Sequence, residues 1–107
     1  MRLRDAIANL DSLPDAATLF AKRIDGHFRA EASALLHELT EDEIRLPIGE
    51  GAAKVAPGLD YFLEVDVARK VVEGLKANHS NVAPSLELLL ECLIYYAEND
   101  AYPAAFF

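Results

Sequence analysis

The segment His37-Glu38-Leu-Thr-Glu41 contains residue types that zinc proteases use at their metal site. Those enzymes bind Zn²⁺ with two histidines one helical turn apart and use a glutamate between them as the base. The second histidine is missing here, because His27 and His79 lie far from this segment in the chain. We therefore predict no bound metal and no cofactor.

Two other segments carry part of a chemical motif. Gly49-Glu-Gly51 precedes Lys54, but the Gly-Lys-Ser/Thr ending that anchors a phosphate group and Mg²⁺ is absent. Cys92 has the residue type of a nucleophile. It lies in the most apolar stretch of the chain, where burial raises the pKa of a thiol and reduces its reactivity. We expect a flexible turn at the glycines and a buried, unreactive Cys92.

The acids at the end of the last apolar helical pattern break a local rule. Glu98 and Asp100 lie where the helix dipole disfavours negative charge, and residues that break such rules are enriched at functional sites. Tyr95 and Tyr102 flank the two acids, and tyrosine is common at binding hot spots. We predict that these four residues form a salt-sensitive binding surface, which we call the acidic corner.

The same acids also have a structural interpretation. Asparagine and aspartate are frequent in turns, so Asn99 would end the helix. Asp100 would then cap a nearby turn or pair with Arg2 or Arg4. The sequence leaves both interpretations open, and the turn preferences favour the structural one.

Composition and charge restrict the classes of protein. The chain has 107 residues, of which 52% are hydrophobic and 26% charged, as expected for one globular domain over residues 1–107. A net charge of −8 disfavours nucleic acid and anionic membranes, which attract clustered Lys and Arg, and permits a basic protein partner. No stretch approaches the roughly 20 apolar residues of a membrane span. No signal peptide is recognisable, so we expect a cytoplasmic protein.

The apolar spacing predicts the elements that must position these residues. A short amphipathic N-terminal helix is predicted by the spacing of Leu3, Ala6, Ile7 and Leu10. Residues 18–24 are typical of a strand that ends at the turn signal Asp25-Gly26. Residues 40–58 are rich in Gly and Pro, so we predict a long connection whose most mobile part is residues 47–57.

Two segments are ambiguous between strand and helix. Residues 32–39 have helical spacing and good helix formers, yet they follow a strand and a turn at hairpin distance; the pattern alone favours a helix. Residues 59–65 are aromatic and aliphatic. We predict a strand there because Asp66 would make a good N-cap for the following helix, although residues 61–65 could be the first turns of that helix.

The remaining sequence predicts two helices. The first runs from residue 66 to 78, with Asp66–Lys70 and Arg69–Glu73 spaced for exposed ion pairs. A polar loop follows over residues 78–83, and Ser85 then caps the last helix. We predict core positions on the densest apolar stripe of that helix, at Leu89, Leu93 and Tyr96.

Three stretches resemble a family of small bacterial proteins of unassigned function. They are Asp11-Ser-Leu-Pro14, Gly58-Leu-Asp-Tyr-Phe-Leu63, and Glu91 followed by Tyr95-Tyr-Ala-Glu-Asn-Asp-Ala-Tyr102. The resemblance covers most of the chain, and its motifs are packing and capping residues without a catalytic role to transfer. It implies a strand at residues 32–39, because the family has more β-branched residues there.

We predict one α+β domain with a short N-terminal helix, an antiparallel sheet of about three strands, and two C-terminal helices packed on one face. Acidity, small size and the lack of a complete catalytic set favour a non-enzymatic protein-interaction module, of immunity or adaptor type, for a basic partner. One alternative is a homo-oligomeric structural protein, such as a homodimer, that docks its Phe106-Phe107 tail on a neighbour. Another is a small enzyme that uses carboxylates such as Glu98 and Asp100.

Overall fold

The computed structural model describes residues 1–78, 84–101 and 103. The α-helices in this part are α1 (Leu3–Ala8), α2 (Glu41–Ile44), α3 (Ile48–Val55), α4 (Val65–Asn78) and α5 (Leu86–Asn99). The strands are β1 (Ala17–Ala21), β2 (Arg23–Ile24), β3 (His27–Phe28), β4 (Ala34–Glu38) and β5 (Asp60–Glu64). The predicted α+β class is confirmed.

Strand β1 is the centre of a three-stranded antiparallel sheet with the order β4-β1-β5. Leu19 of β1 pairs with Leu36 on one side and with Leu63 on the other. The register with β5 shifts after Leu19, so that Phe20 pairs with Tyr61. This bulge places two successive residues of β5, Phe62 and Leu63, in the main core.

The two faces of the sheet pack against different elements. On one face, Leu19 joins the main core with residues of α1, α4 and α5, and the side chains of Leu3, Leu75 and Leu93 are fully buried there. The two C-terminal helices therefore pack on the sheet, as predicted. On the other face, Phe20 forms a smaller apolar cluster with α3.

The turn between β2 and β3 is the one that the sequence predicts. Asp25 and Gly26 have φ values of 54° and 81°, which the hairpin turn requires at both positions. The predicted strand over residues 18–24 becomes β1 and β2, with a break between them.

The ambiguous segments are strands. Residues 34–38 form β4, which confirms the strand and shows that the helical interpretation of the pattern is wrong. Pairing with β1 outweighs the helix preference of Ala and Leu, because β preference depends on neighbouring strands. Residues 60–64 form β5, so the strand prediction is also confirmed there.

The predicted long connection at residues 40–58 is wrong, because α2 and α3 occupy most of it. The Thr40 hydroxyl accepts a hydrogen bond from the Glu43 amide and begins α2. Pro47 is the N-cap of α3, where its missing N–H has no cost. Gly51 lies in α3 beside α2, where a Cβ would be at an ordinary contact distance of 3.6 Å from the Glu43 carbonyl oxygen. Pro47, Gly49 and Gly51, which indicate a loop in the sequence, thus lie at the start of a helix or within it.

Two predictions about α4 also need correction. Helix α4 already begins at Val65, so Asp66 lies in its first turn rather than at the N-cap, and pairs with Lys70 at 3.0 Å as expected. Arg69 bonds to the carbonyl oxygens of Leu10 and Leu13 and to the carboxylate of Asp15, in place of the predicted pairing with Glu73.

Helix α5 follows its predicted course. The Ser85 hydroxyl caps it by accepting a hydrogen bond from the Leu88 amide. Leu93 is fully buried, whereas Leu89 and Tyr96 are only partly buried beside the core. The predicted loop at residues 78–83 and the predicted docking tail at Phe106-Phe107 lie largely outside the described residues.

We expect Leu93→Ala to lower the free energy of unfolding by about 2–5 kcal/mol, because it leaves a cavity in the core. Urea denaturation measures this loss. Tyr95→Ala on the same helix is the control, since Tyr95 is 44% exposed and its change should cost less than about 0.5 kcal/mol. Equal losses in the two variants would contradict the packing described here.

We also expect native Cys92 to resist thiol reagents. The side chain is 1% exposed. Burial, followed by the negative charge of Glu91, raises the pKa of its thiol. A thiol reagent should label the protein rapidly in denaturant and slowly without it, at the rate of unfolding. Rapid labelling of the folded protein would show that the thiol is accessible.

Candidate functional site

The structure places Glu98 of the acidic corner against the β2–β3 hairpin. Its carboxylate accepts hydrogen bonds from Nδ1 of His27 at 2.8 Å and from the amide of Phe28 at 3.1 Å. Burial of the carboxyl raises its pKa, but the bonds from His27 and Phe28 outweigh this, and the net pKa of Glu98 is lowered. Glu98 therefore attaches the hairpin to α5.

Asp100 and Asn99 end the helix, as the structural interpretation predicts. Asp100 adopts the left-handed conformation with φ 51°, and its amide donates to the Tyr96 carbonyl at 2.8 Å. The side chain of Asn99 donates to the Tyr95 carbonyl at 2.9 Å. Tyr95 is exposed, and Tyr102 lies outside the described residues.

The arginines proposed as partners of Asp100 have other partners. Arg2 and Arg4 both bind Glu31, at 2.9 and 2.7 Å, and Arg4 also binds Glu87 at 2.8 Å. Tyr95 and Asp100 thus both lie near the end of α5, whereas the carboxylate of Glu98 contacts the hairpin. That the acidic corner binds a partner stays a prediction.

A larger concave site lies on the opposite face of the sheet, between β1 and β5 on one side and α2 and α3 on the other. The cavity has a volume of about 560 Å³. Its lining residues are Asp15, Ala16, Ala17, Thr18, Phe20, Leu39, Glu43, Ile44, Leu46, Ile48, Gly51, Ala52, Tyr61, Glu64 and Asp66. Sites for small ligands and side chains have volumes of about 300–1,000 Å³, so this cavity has the capacity of a binding site.

The floor of the cavity is apolar with two hydroxyl groups. The rings of Phe20 and Tyr61 pack edge to face, with centroids 6.3 Å apart. Thr18 lies beside them and is the one buried polar residue in the described part of the chain. At the mouth, Ile44 and Ile48 are 65% and 68% exposed, which is unusual for large aliphatic side chains.

Four carboxylates line the cavity, namely those of Asp15, Glu43, Glu64 and Asp66, and none of the lining residues is Lys or Arg. We therefore call it the acidic cavity. Asp15 pairs with Arg69 and Asp66 with Lys70. Burial, followed by the charge of Glu64, raises the pKa of Tyr61.

The carboxylate of Glu43 is fixed in place by contacts with Thr40 and His37. Its carboxylate accepts hydrogen bonds from the Thr40 amide at 2.8 Å and interacts with Nε2 of His37 at 3.1 Å. The Thr40 bond, followed by the His37 bond, lowers the pKa of Glu43 to about 2. The carboxylate therefore stays charged throughout the physiological pH range.

The geometry supports binding of a cation with an apolar body. The apolar floor would bury the body, and the carboxylates would stabilise the charge. No group of three His, Cys, Asp or Glu residues suited to a metal ion is found in residues 1–78, 84–101 and 103. No described helix is long and apolar enough to cross a membrane.

The cavity is not visible in the sequence, because its acids come from three separate segments, around residue 15, residue 43 and residues 64–66. One signal was available. Thr40 followed by Glu43 has the spacing of a capping box, which predicts the start of a helix. That signal would have placed Ile44 and the acids of residues 41–43 on a helix beside the sheet.

Comparisons with known proteins add no relative: no family model, no curated protein and no solved structure matches the chain. The resemblance to small bacterial proteins of unassigned function stays a prediction. The function therefore has to be argued from the geometry of the site.

We expect Glu43→Gln to remove part of the acid sensitivity of the protein. A carboxyl whose pKa is lowered from 4.5 to about 2 on folding stabilises the folded state above pH 4.5, and this contribution is lost as the pH falls toward 2. Glutamine can still bond to the Thr40 amide, so the change isolates the charge.

Urea midpoints at pH 7 and near pH 2 measure the effect. The midpoint of Glu43→Gln should be lower than that of the wild type at pH 7, and the two should converge near pH 2. Glu41→Gln, which changes an exposed acid in the same helix, is the control and should differ little from wild type at either pH. A constant difference between Glu43→Gln and wild type would contradict the assigned pKa shift.

Proposed function

We propose that the protein is a non-enzymatic interaction module that binds a basic, amphipathic segment of a partner protein in the acidic cavity. The observation that carries the proposal is the lining of this cavity, with an apolar floor, four carboxylates and no Lys or Arg. Such a lining is complementary to a Lys or Arg side chain flanked by apolar residues.

Two of the four carboxylates, those of Glu43 and Glu64, could pair with a cationic group of a partner. Asp15 and Asp66 already pair with bases of this chain, whereas among the described residues Glu64 makes no ion pair and Glu43 has a histidine, but no Lys or Arg, as its ion-pair partner. Glu43 and Glu64 are therefore the carboxylates available to a ligand. The net charge of −8 would also speed the approach of a basic partner.

The exposed residues at the mouth favour a protein segment over a small free amine. Ile44 and Ile48 line the cavity, but a ligand enclosed in it would leave much of their exposed surface in water. A longer amphipathic segment would cover both side chains while one of its cationic residues reaches Glu43 or Glu64. Burial of these aliphatic groups would contribute about 25 cal/mol for each Å² removed from water.

The carboxylate of Glu43 suits binding better than proton transfer. A general acid that works near neutral pH needs a raised pKa, and the pKa of Glu43 is lowered to about 2. Self-association through this cavity is also disfavoured, because each copy carries the same net charge of −8.

The test is the binding of an amphipathic Lys/Leu peptide, measured by fluorescence anisotropy, with a Glu/Leu peptide of the same pattern as the negative probe. We expect the Lys/Leu peptide to bind and the double variant Glu43→Gln/Glu64→Gln to bind it about tenfold more weakly, since a partly exposed ion pair contributes up to about 1 kcal/mol. The matched control is Glu38→Gln/Glu50→Gln, which removes the same charge outside the cavity.

A second double variant distinguishes a peptide ligand from a small free amine. Ile44→Ser/Ile48→Ser should weaken the binding of the peptide more than that of an alkyl amine, because the peptide covers the exposed parts of both side chains as well as the parts that line the cavity. If only the amine binds, the site belongs to a small molecule and the proposed partner is wrong. If both charge variants weaken the peptide equally, the binding surface lies elsewhere.

A further inference from the structure

We propose that His37 makes binding in the acidic cavity dependent on pH, because its protonated ring places a positive charge beside Glu43. This inference rests on the proposed function and adds a regulation of the same site. A basic ligand would bind more tightly when His37 is neutral and would be released more readily in mildly acidic conditions.

His37 and a ligand in the cavity can both contact the carboxylate of Glu43. Nε2 of His37 on β4 lies 3.1 Å from Oε1 of Glu43 on α2. Glu43 lines the cavity, whereas His37 lies outside the lining. The side chain of His37 is 36% exposed and that of Glu43 is 14% exposed, so protons reach the ring from solvent while the carboxylate stays close to the ligand site.

The other charged groups near this pair do not take the place of His37 or of Glu43 in the contact. On β4, Glu38 follows His37 directly. Across the sheet, His37 pairs with Thr18, and Thr18 pairs with Glu64 of β5, so Glu64 lies two strand spacings away, about 10 Å. On α2, Asp42 is exposed and interacts with Arg45. His37 is thus the one cationic partner of Glu43 among the described residues.

Protonation changes the charge of the contact but not its shape. A neutral imidazole can still donate its Nε2–H to Glu43, so α2 keeps its position on the sheet. Histidine as a residue type changes charge near neutral pH, whereas the Lys side chains of a basic ligand stay charged there.

The experiment measures the dissociation constant of the Lys/Leu peptide at pH 5.5 and pH 8.0. We expect wild type to bind about three- to tenfold more weakly at pH 5.5, the range for one added charge several ångströms from a bound cation in a partly exposed site. His37→Gln, which keeps a side-chain N–H donor, should bind with similar affinity at both pH values.

The control variant is His27→Gln/His79→Gln, which leaves His37 as the remaining histidine of the three in the chain. It should keep the pH dependence of wild type. Calorimetry near pH 6 in buffers of different ionisation enthalpy gives a second measurement, because linkage requires a bound cation to displace a proton from His37. The control variant should release protons on binding, and His37→Gln should not.

The outcomes separate the two proposals. Failure of the peptide to bind at both pH values contradicts the proposed function. Binding with the same pH dependence in His37→Gln as in wild type, or without pH dependence in wild type, contradicts the role of His37. If His37→Gln does not fold, proton release by the control variant decides, since binding without release near pH 6 overturns the inference.

Discussion

The structure depends on the burial of strand β1 on both faces and on its pairing along both edges. All five of its residues are buried, and β4 and β5 pair with it on either side. Leu19 contributes to the main core while Phe20 contributes to the cluster with α3. A slip of one residue would exchange these two faces. The register of β1 therefore determines at once which side chains build the core and which form the floor of the acidic cavity.

Contacts that stabilise the fold also place the acids of the cavity. Arg69 of α4 is mostly buried and needs several partners. It finds them in the carbonyls of Leu10 and Leu13 and in the carboxylate of Asp15, just before β1. Glu43 is held by the Thr40 amide at the start of α2. The positions of Asp15 and Glu43 at the cavity are thus set by bonds within the fold, so that the site exists before a ligand binds.

The acidic corner is visible in the sequence, whereas the acidic cavity is not. Glu98 and Asp100 stand out in the sequence because they break a preference within one helix. In the structure the Glu98 carboxylate is hydrogen-bonded to His27 and Phe28, which lie about 70 positions earlier in the chain. The four cavity acids break no local rule, and only the tertiary structure brings Asp15 and Glu43 close to Glu64 and Asp66. A site of this kind leaves no motif because most of its spacings are not fixed along the chain.

Features controlled within one or two turns were determined by the sequence itself. Ser85 caps α5, and Asp25-Gly26 forms the hairpin turn. Hydrogen bonds and dihedral preferences of neighbouring residues decide these features, so no distant partner is needed. Residues 34–38 became a strand only by pairing with β1, and Gly51 lies in a helix that packs beside α2. Tertiary structure decided these elements and the cavity between them, because strand pairing and close helix packing depend on residues far apart in the chain.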